Sequence, residues 1–283
     1  MRPTITSETA PGHDNEDFAV VTANVAILLD GAGLSGVDDG GCIHGVAWYV
    51  RQLGAQLLIR LLDESEPDLP VVLADAIGSV ADAHRGTCDL EHPGTPSSTV
   101  IIVHEAAGVL GYLVLADSVL IIDTGEEPIV ISDTREAAVG RQYRAAMDAL
   151  VGGTPEHNEA RRSYVERLRQ HRNQPDGFWV AASAPEAAQH GLTGRLPSSR
   201  LRSVLLLSDG ASRLVDRFGL WSWGKLVEVA TTHGGESVLQ AVRTAEREDA
   251  AGERWPRGKI FDDATIVVCD RFCSPIGTGE TAR

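Results

Sequence analysis

The sequence is short of positive charge. It carries 25 Lys and Arg against 40 Asp and Glu, a formal net charge of -15 over 283 residues. Polyanions need a basic face, so a general nucleic-acid binder or a protein that sits on anionic membranes is excluded. The same acidity leaves room for a cation site. Cysteine is scarce too: Cys42, Cys88, Cys269 and Cys273 are the four present, and no two have the close spacing of a zinc motif. They are expected to be reduced thiols without a metal. A chain of this length needs no disulfide framework. No apolar run approaches the length of a membrane span. Arg2 is the one early basic residue and no apolar stretch follows it, so a secretory signal is not expected and a cytoplasmic location is. Repeats, low-complexity linkers and a composition break that would divide the chain are also lacking.

What is present is an ordinary globular composition, 43% hydrophobic and 23% charged, with one recurring local pattern. Apolar runs end abruptly at an acid. Ile27-Leu28-Leu29 runs into Asp30-Gly31-Ala32-Gly33, Val204 to Leu207 into Ser208-Asp209-Gly210, and Tyr112 to Leu115 into Ala116-Asp117-Ser118. In mirror order, Asp262-Asp263 precedes Ala264 to Val268. A carboxylate at a strand end stands on a rigid support, and a neighbouring glycine lets a ligand approach the backbone.

The runs Phe18 to Val21 and Asn24 to Leu29 read as two strands joined by a turn. Antiparallel pairing would bring Glu16 and Asp17 beside Asp30. Helical periodicity predicts amphipathic helices over residues 46–62 and 70–84. Four β-branched runs between Ser98 and Ser132 form a meander, and the continuous apolar stretch Val119 to Ile122 suggests a strand covered on both faces. Helices are predicted over 135–150 and 156–171, the second carrying Arg161, Arg162, Arg167 and Arg169, with Arg172 just after it. Paired with Glu159 and Glu166 these arginines make a solvated face; alternatively they form a basic flap that receives a phosphorylated substrate. Residues 178–182 and 202–208 read as strands, 223–232 and 237–249 as helices, and 264–270 as the last strand. The tail from Ser274 to Arg283 is expected to be flexible.

Carboxylates gathered this closely cannot all stay ionised without cations. Oxygen ligands without Cys or His favour Mg²⁺ or Mn²⁺, and two such ions bridged by a water suit displacement at phosphorus.

The ordered set Asn15-Glu16-Asp17, Asp30-Gly31-Ala32-Gly33, Ser98-Thr99, Ala116-Asp117-Ser118, Ser208-Asp209-Gly210 and Asp262-Asp263-Ala264-Thr265 resembles the type-2C, metal-dependent protein phosphatase family (PPM). The resemblance implies an α+β fold, a four-layer α-β-β-α sandwich of two central antiparallel sheets flanked by helices. It implies a single phosphatase-like domain over residues 1–273, with 135–177 as a helical flap-like insertion. Two Mn²⁺ or Mg²⁺ ions per chain, and a third in many members, would be the cofactors. Asp30 would bridge the two ions, with Glu16 and the Gly31 carbonyl on one and Asp209 and Asp262 on the other. Asp117 together with Asp209 would serve the third, and Asp17 would bond to metal-bound water. The implied reaction is hydrolysis of phosphoserine or phosphothreonine in a phosphorylated protein substrate, by water activated between the metals with Asp30 and Asp209 central.

The departures are equally specific. The family's phosphate-binding arginine, four residues before the glutamate, is Gly12 here, which leaves His13 and Arg161 as candidate replacements. Asp263 stands where an asparagine is usual, and Val119 follows Asp117-Ser118 where an arginine is usual. A phosphatase-like binding or regulatory protein that keeps metal is the alternative reading. A carboxylate-cluster nuclease is disfavoured by the charge.

Overall fold

The structure is a computed structural model that describes residues 1–12, 14–33 and 41–272. His13, Cys273, the tail and the middle of the glycine-rich loop after Asp30 lie outside the described residues.

The chain begins with β1 (Arg2–Glu8), β2 (Asp17–Val21) and β3 (Val25–Ala32), followed by α1 (Val46–Asp63) and α2 (Leu69–His84). The expected meander follows as β4 (Ser97–Ser98), β5 (Val100–Ala106), β6 (Val109–Leu115), β7 (Val119–Asp123) and β8 (Ile129–Ile131). Three helices, α3 (Arg135–Gly140), α4 (Ala145–Asp148) and α5 (Pro155–Arg169), precede β9 (Leu192–Pro197) and β10 (Ser203–Leu207). The chain then runs through α6 (Asp209–Asp216), α7 (Trp223–His233) and α8 (Gly235–Glu248) to β11 (Ala264–Asp270).

The strands build two antiparallel sheets. One has the order β1-β11-β10-β7-β8; the other runs β2-β3-β5-β6-β9, with β4 paired to β3. Strand alternation sends side chains from each sheet in opposite directions. In β3, Ala26 and Leu28 face the opposite sheet and meet its Leu120, Ile122, Leu206 and Val267. Val25, Ile27 and Leu29 point the other way, onto Tyr49, Leu53 and Leu57 of α1 and Leu73 and Ile77 of α2. On the far side, Ile121, Leu205, Leu207 and Ile266 pack against Leu214 of α6, Leu226 of α7 and Leu239 of α8. The result is the four-layer α-β-β-α sandwich. Val119 to Ile122 splits its side chains between two cores, which explains why that stretch is apolar throughout.

Some boundaries differ from expectation. The helix expected over 135–150 stops at Gly140, which packs so closely on Tyr164 of α5 that a Cβ there would overlap its hydroxyl, and the chain turns through residues 141–144 before α4. Residues 178–182 pair only through isolated bridges, such as Ser98 with Ala181. Strand β9 lacks an apolar signature, since it is an edge strand with largely exposed side chains. Among the described residues no helix is long and apolar enough to cross a membrane.

Candidate metal centre

Every acid singled out above stands where a strand of the sandwich starts or stops. Asp17 opens β2 and is paired directly across the ladder with Asp30, near the end of β3. Asp117 lies in the crossing from β6, in one sheet, to β7, in the other, where Ala116 takes a positive φ of 70° to make the turn. Asp209 begins α6 immediately after β10, and Asp262 lies two residues before β11. The two sheets therefore bring their acids to one seam.

Hydrogen bonds hold this seam in register. Asp30 accepts the backbone N–H of Asp209 on Oδ2 at 3.1 Å. Its own carbonyl accepts from the Thr99 N–H at 2.9 Å and the Ser98 hydroxyl at 3.1 Å. The Gly31 N–H donates to the Glu16 carbonyl at 3.0 Å, and a Cβ on Gly31 would run into that oxygen and into Val46. Only glycine permits this approach. Gly210 is constrained in the same way by the Asp263 carbonyl. Asp263 itself accepts the N–H groups of Ala10 at 2.7 Å and Glu16 at 2.8 Å. Its carboxylate ties the segment from β1 to β2 to the entry of β11.

The electrostatics separate the acids into two kinds. Burial pushes Asp17 up to about 7 despite hydrogen bonds from the Thr265 and Ser208 hydroxyls, and Asp262 and Asp209 add to the rise. Burial, then Asp17, Asp209 and Asp262, lifts Asp30 well above the usual carboxylate range. Asp117 goes to about 7 through burial and Asp209. Asp209 keeps contact with solvent, yet the protein packed around it and then Asp262 raise it as well. Lys259 offsets part of the rise at Asp30, and Arg213 and Lys259 part of that at Asp209, while no positive group offsets Asp17 or Asp117. Asp262 has two positive partners: burial acts to raise it, but Lys259 at 2.6 Å and Arg213 at 2.7 Å hold it below the ordinary value.

This donor set could hold a hard divalent cation. It is all oxygen, its members raise one another, and Asp17 Oδ2 is buried with no hydrogen-bond partner. No three of these carboxylates offer oxygens within 4.8 Å of one another among the described residues. An ion would take few protein ligands and keep much of its water, as Mg²⁺ prefers.

Of the phosphate-binding candidates, His13 lies outside the described residues. Arg161 on α5 approaches Gly258, and its charge reaches Asp262. Of the other basic residues there, Arg162 fits the solvated face and Arg172, just beyond the helix, is engaged inward. Arg162 pairs with Glu159, and Arg172 is consumed by the carbonyls of Thr95 and Pro93. Gly12 has φ of 94° and open space around it. An arginine there would be strained as well as missing.

Sequence reasoning missed Lys259 and Arg213. Lys259 bonds Asp262, and its charge also reaches Asp209 and Asp30. Arg213 bridges Asp262 to the fully buried Glu246 at 2.7 Å on each side. A basic residue four positions after Asp209, one helical turn on, is the only local signal for the second. Glu136 was missed too; burial and then Asp117 push it well above the usual range, marking it as part of the acidic rim on the Asp117 side.

No protein-family model matches the sequence, and no curated protein does. Comparison with solved structures gives the class: the chain has the α-β-β-α sandwich of bacterial serine/threonine phosphatases. The catalytic domain of the phosphatase PstP, solved with two manganese ions, matches at TM-score 0.57 and 19% identity, covering 95% of this chain and 97% of that one. PstP/Ppp of Mycobacterium tuberculosis gives 0.55 and 19% over the same shares. Stp1 of Staphylococcus aureus gives 0.58 and 13%, covering 95% and 94%.

Proposed function

We propose that this protein is a metal-dependent serine/threonine phosphoprotein phosphatase of the PPM type. One observation carries the reading: on this fold, Asp17, Asp30, Asp209 and Asp262 come from both sheets to one seam, where burial and the neighbouring acids raise the first three. The solved relatives that share the fold are serine/threonine phosphatases, and one was crystallised with manganese.

Glu16, Asp30 and the Gly31 carbonyl would hold one ion, Asp30, Asp209 and Asp262 the other, and Asp117 with Asp209 a third. Bound divalent cations supply an activated water and neutralise a phosphoryl group. The chain's own groups do the rest. Asp30 is fixed by the Asp209 N–H, so its carboxylate cannot swing away from the seam. Asp17 offers its free oxygen to a water while hydroxyls of Thr265 and Ser208 hold the other side. Asp209 borders solvent, so a phosphorylated side chain of a protein substrate reaches the site from that side. Lys259 and Arg161, whose charges both reach Asp262, would supply the ammonium or guanidinium for phosphate oxygens, the role Gly12 cannot fill. Residues 135–177, built from α3 to α5, form the flap over this edge.

Phosphate release from a phosphothreonine peptide and from p-nitrophenyl phosphate, with Mn²⁺ present, tests the reading. Turnover by the wild type and its loss in Asp209→Ala are expected; equal rates in both would refute it.

A second reading has its own support. Asp262 is already neutralised by Lys259 and Arg213, and Gly12 brings no charge. A protein that binds metal and phosphorylated partners but turns over slowly would have these features. Calorimetric Mn²⁺ binding with no turnover across a panel of phosphoesters would select it.

A further inference from the structure

A second group of ligand atoms lies away from the carboxylates. Cys42 and His44 are in the segment that leads into α1, and Cys88 lies four residues beyond His84, the last residue of α2. The Cys42 and Cys88 sulfurs are 3.5 Å apart, and His44 Nδ1 is 3.7 Å from the first and 3.3 Å from the second. Among the described residues this is the only trio of His, Cys, Asp or Glu whose ligand atoms all lie within 4.8 Å.

The triangle has the dimensions of one face of a zinc tetrahedron. Zn–S of about 2.3 Å and Zn–N of about 2.0 Å at tetrahedral angles give edges of about 3.8 Å between sulfurs and about 3.5 Å from sulfur to nitrogen. The observed edges lie close to these values.

A fourth donor stands nearby. His84 is buried at 3% exposure, and neither ring nitrogen has a hydrogen-bond partner. Its ring centroid is 5.9 Å from that of His44, and both rings lean on Trp48, His44 stacked at 4.3 Å and His84 edge-on at 5.0 Å. Each chain segment thus supplies a local pair, Cys42-x-His44 and His84-x₃-Cys88. The backbone joins the two segments independently: the Asp89 N–H donates to the Gly41 carbonyl at 2.7 Å.

We propose that Cys42, His44 and Cys88 bind zinc, with His84 turning in as the fourth ligand. Thiolate and imidazole select a softer ion than the carboxylate seam does, so the two sites load with different metals. Two thiol protons leave to solvent as the ion enters. The ion would fasten the segment that issues from β3, just beyond Asp30 and Gly31, to the C-terminal end of α2.

The test uses the full chain, reduced and stripped with chelator, titrated with Co²⁺ as a spectroscopic probe in excess Mg²⁺. The expected result is one Co²⁺ per chain with a thiolate-to-cobalt charge-transfer band and strong tetrahedral d–d absorption, both abolished by Zn²⁺. Cys42→Ser and Cys88→Ser should lose the band, His84→Ala should weaken Zn²⁺ binding about 10-fold, and Asp209→Asn should leave the band intact. In the wild type, Zn²⁺ should protect Cys42 and Cys88 from alkylation, a readout that stands if a variant fails to fold. Absence of the band, or its survival in both cysteine variants, overturns the proposal. So does loss of two hydrogens' mass under mild oxidant without Zn²⁺ uptake, which would mark a redox thiol pair instead. Unchanged Zn²⁺ affinity in His84→Ala removes that residue from the set.

Discussion

Asp30 and Asp209, 179 residues apart, are joined by a hydrogen bond of 3.1 Å from the Asp209 N–H to the Asp30 carboxylate. This bond links a strand of one sheet to the first turn of a helix that belongs to the other. The carboxylate also accepts at a helix N-terminus, where a negative charge is favoured. The seam is therefore preorganised by its backbone before any ion arrives.

Asp30→Asn keeps the shape and that hydrogen bond but removes the charge. Mn²⁺-dependent hydrolysis of p-nitrophenyl phosphate should fall about 100-fold or more, the scale on which lost support at a metal site is felt. Thermal unfolding in chelator should hold or improve, since a carboxylate crowded by Asp17, Asp209 and Asp262 is gone. Activity within a factor of two of wild type would exclude Asp30 from the chemistry.

Lys259→Met separates two roles of one cation. Lys259 neutralises Asp262 and reaches towards Asp209 and Asp30. Without it Asp262 is freer for a divalent ion, so calorimetry should show Mn²⁺ binding several-fold tighter. If the ammonium also meets phosphate, KM for a phosphopeptide should rise in the same variant. Weaker Mn²⁺ binding would contradict the assignment of Lys259 as a competitor for Asp262.

Arg213→Met removes a buried guanidinium held by Glu246 and Asp262. Glu246 would keep only Arg243, at 2.7 Å. Breaking a buried pair from one side costs about 3–5 kcal/mol, and thermal denaturation should show a drop of roughly 10 °C for a chain of this size. A shift under about 2 °C would mean that the pairing contributes little to stability.

His104 predicts a pH dependence. Burial lowers its pKa below 6.5, and its Nε2 has no hydrogen-bond partner. The unfolded chain then binds a proton that the folded one refuses. Stability is full above pH 6.5 and is lost as pH falls from there towards the folded pKa. Urea unfolding of wild type and His104→Gln across this window should show a shallower pH slope in the variant. Identical slopes would show that His104 titrates alike in both states.

The sequence makes the seam legible where short-range rules apply. Asp17 and Asp30 sit on neighbouring strands joined by a tight turn, so pairing and alternation alone bring them together. The strand-end aspartates are visible because apolar runs stop at them. Arg213 and Lys259 are invisible by the same logic: their partner Asp262 is 49 residues from one, and a lone basic residue carries no periodic signal. Cys42 and Cys88 are 46 residues apart and meet only because α1 and α2 pack side by side. Gly140, where the flap helix stops, lies close against Tyr164 of another helix, a contact that no local pattern announces.

Strand β11 sits between β1 and β10. Because β1 has no other neighbour in its sheet, it must wait for β11, more than 250 residues later, before it can be hydrogen-bonded. Asp262 and the Asp263 clamp on Ala10 and Glu16 arrive with that same late segment. A chain still emerging from the ribosome would thus hold Glu16, Asp17 and Asp30 unassembled until β11 has been made. Birth order ties the acidic seam to the arrival of that one strand.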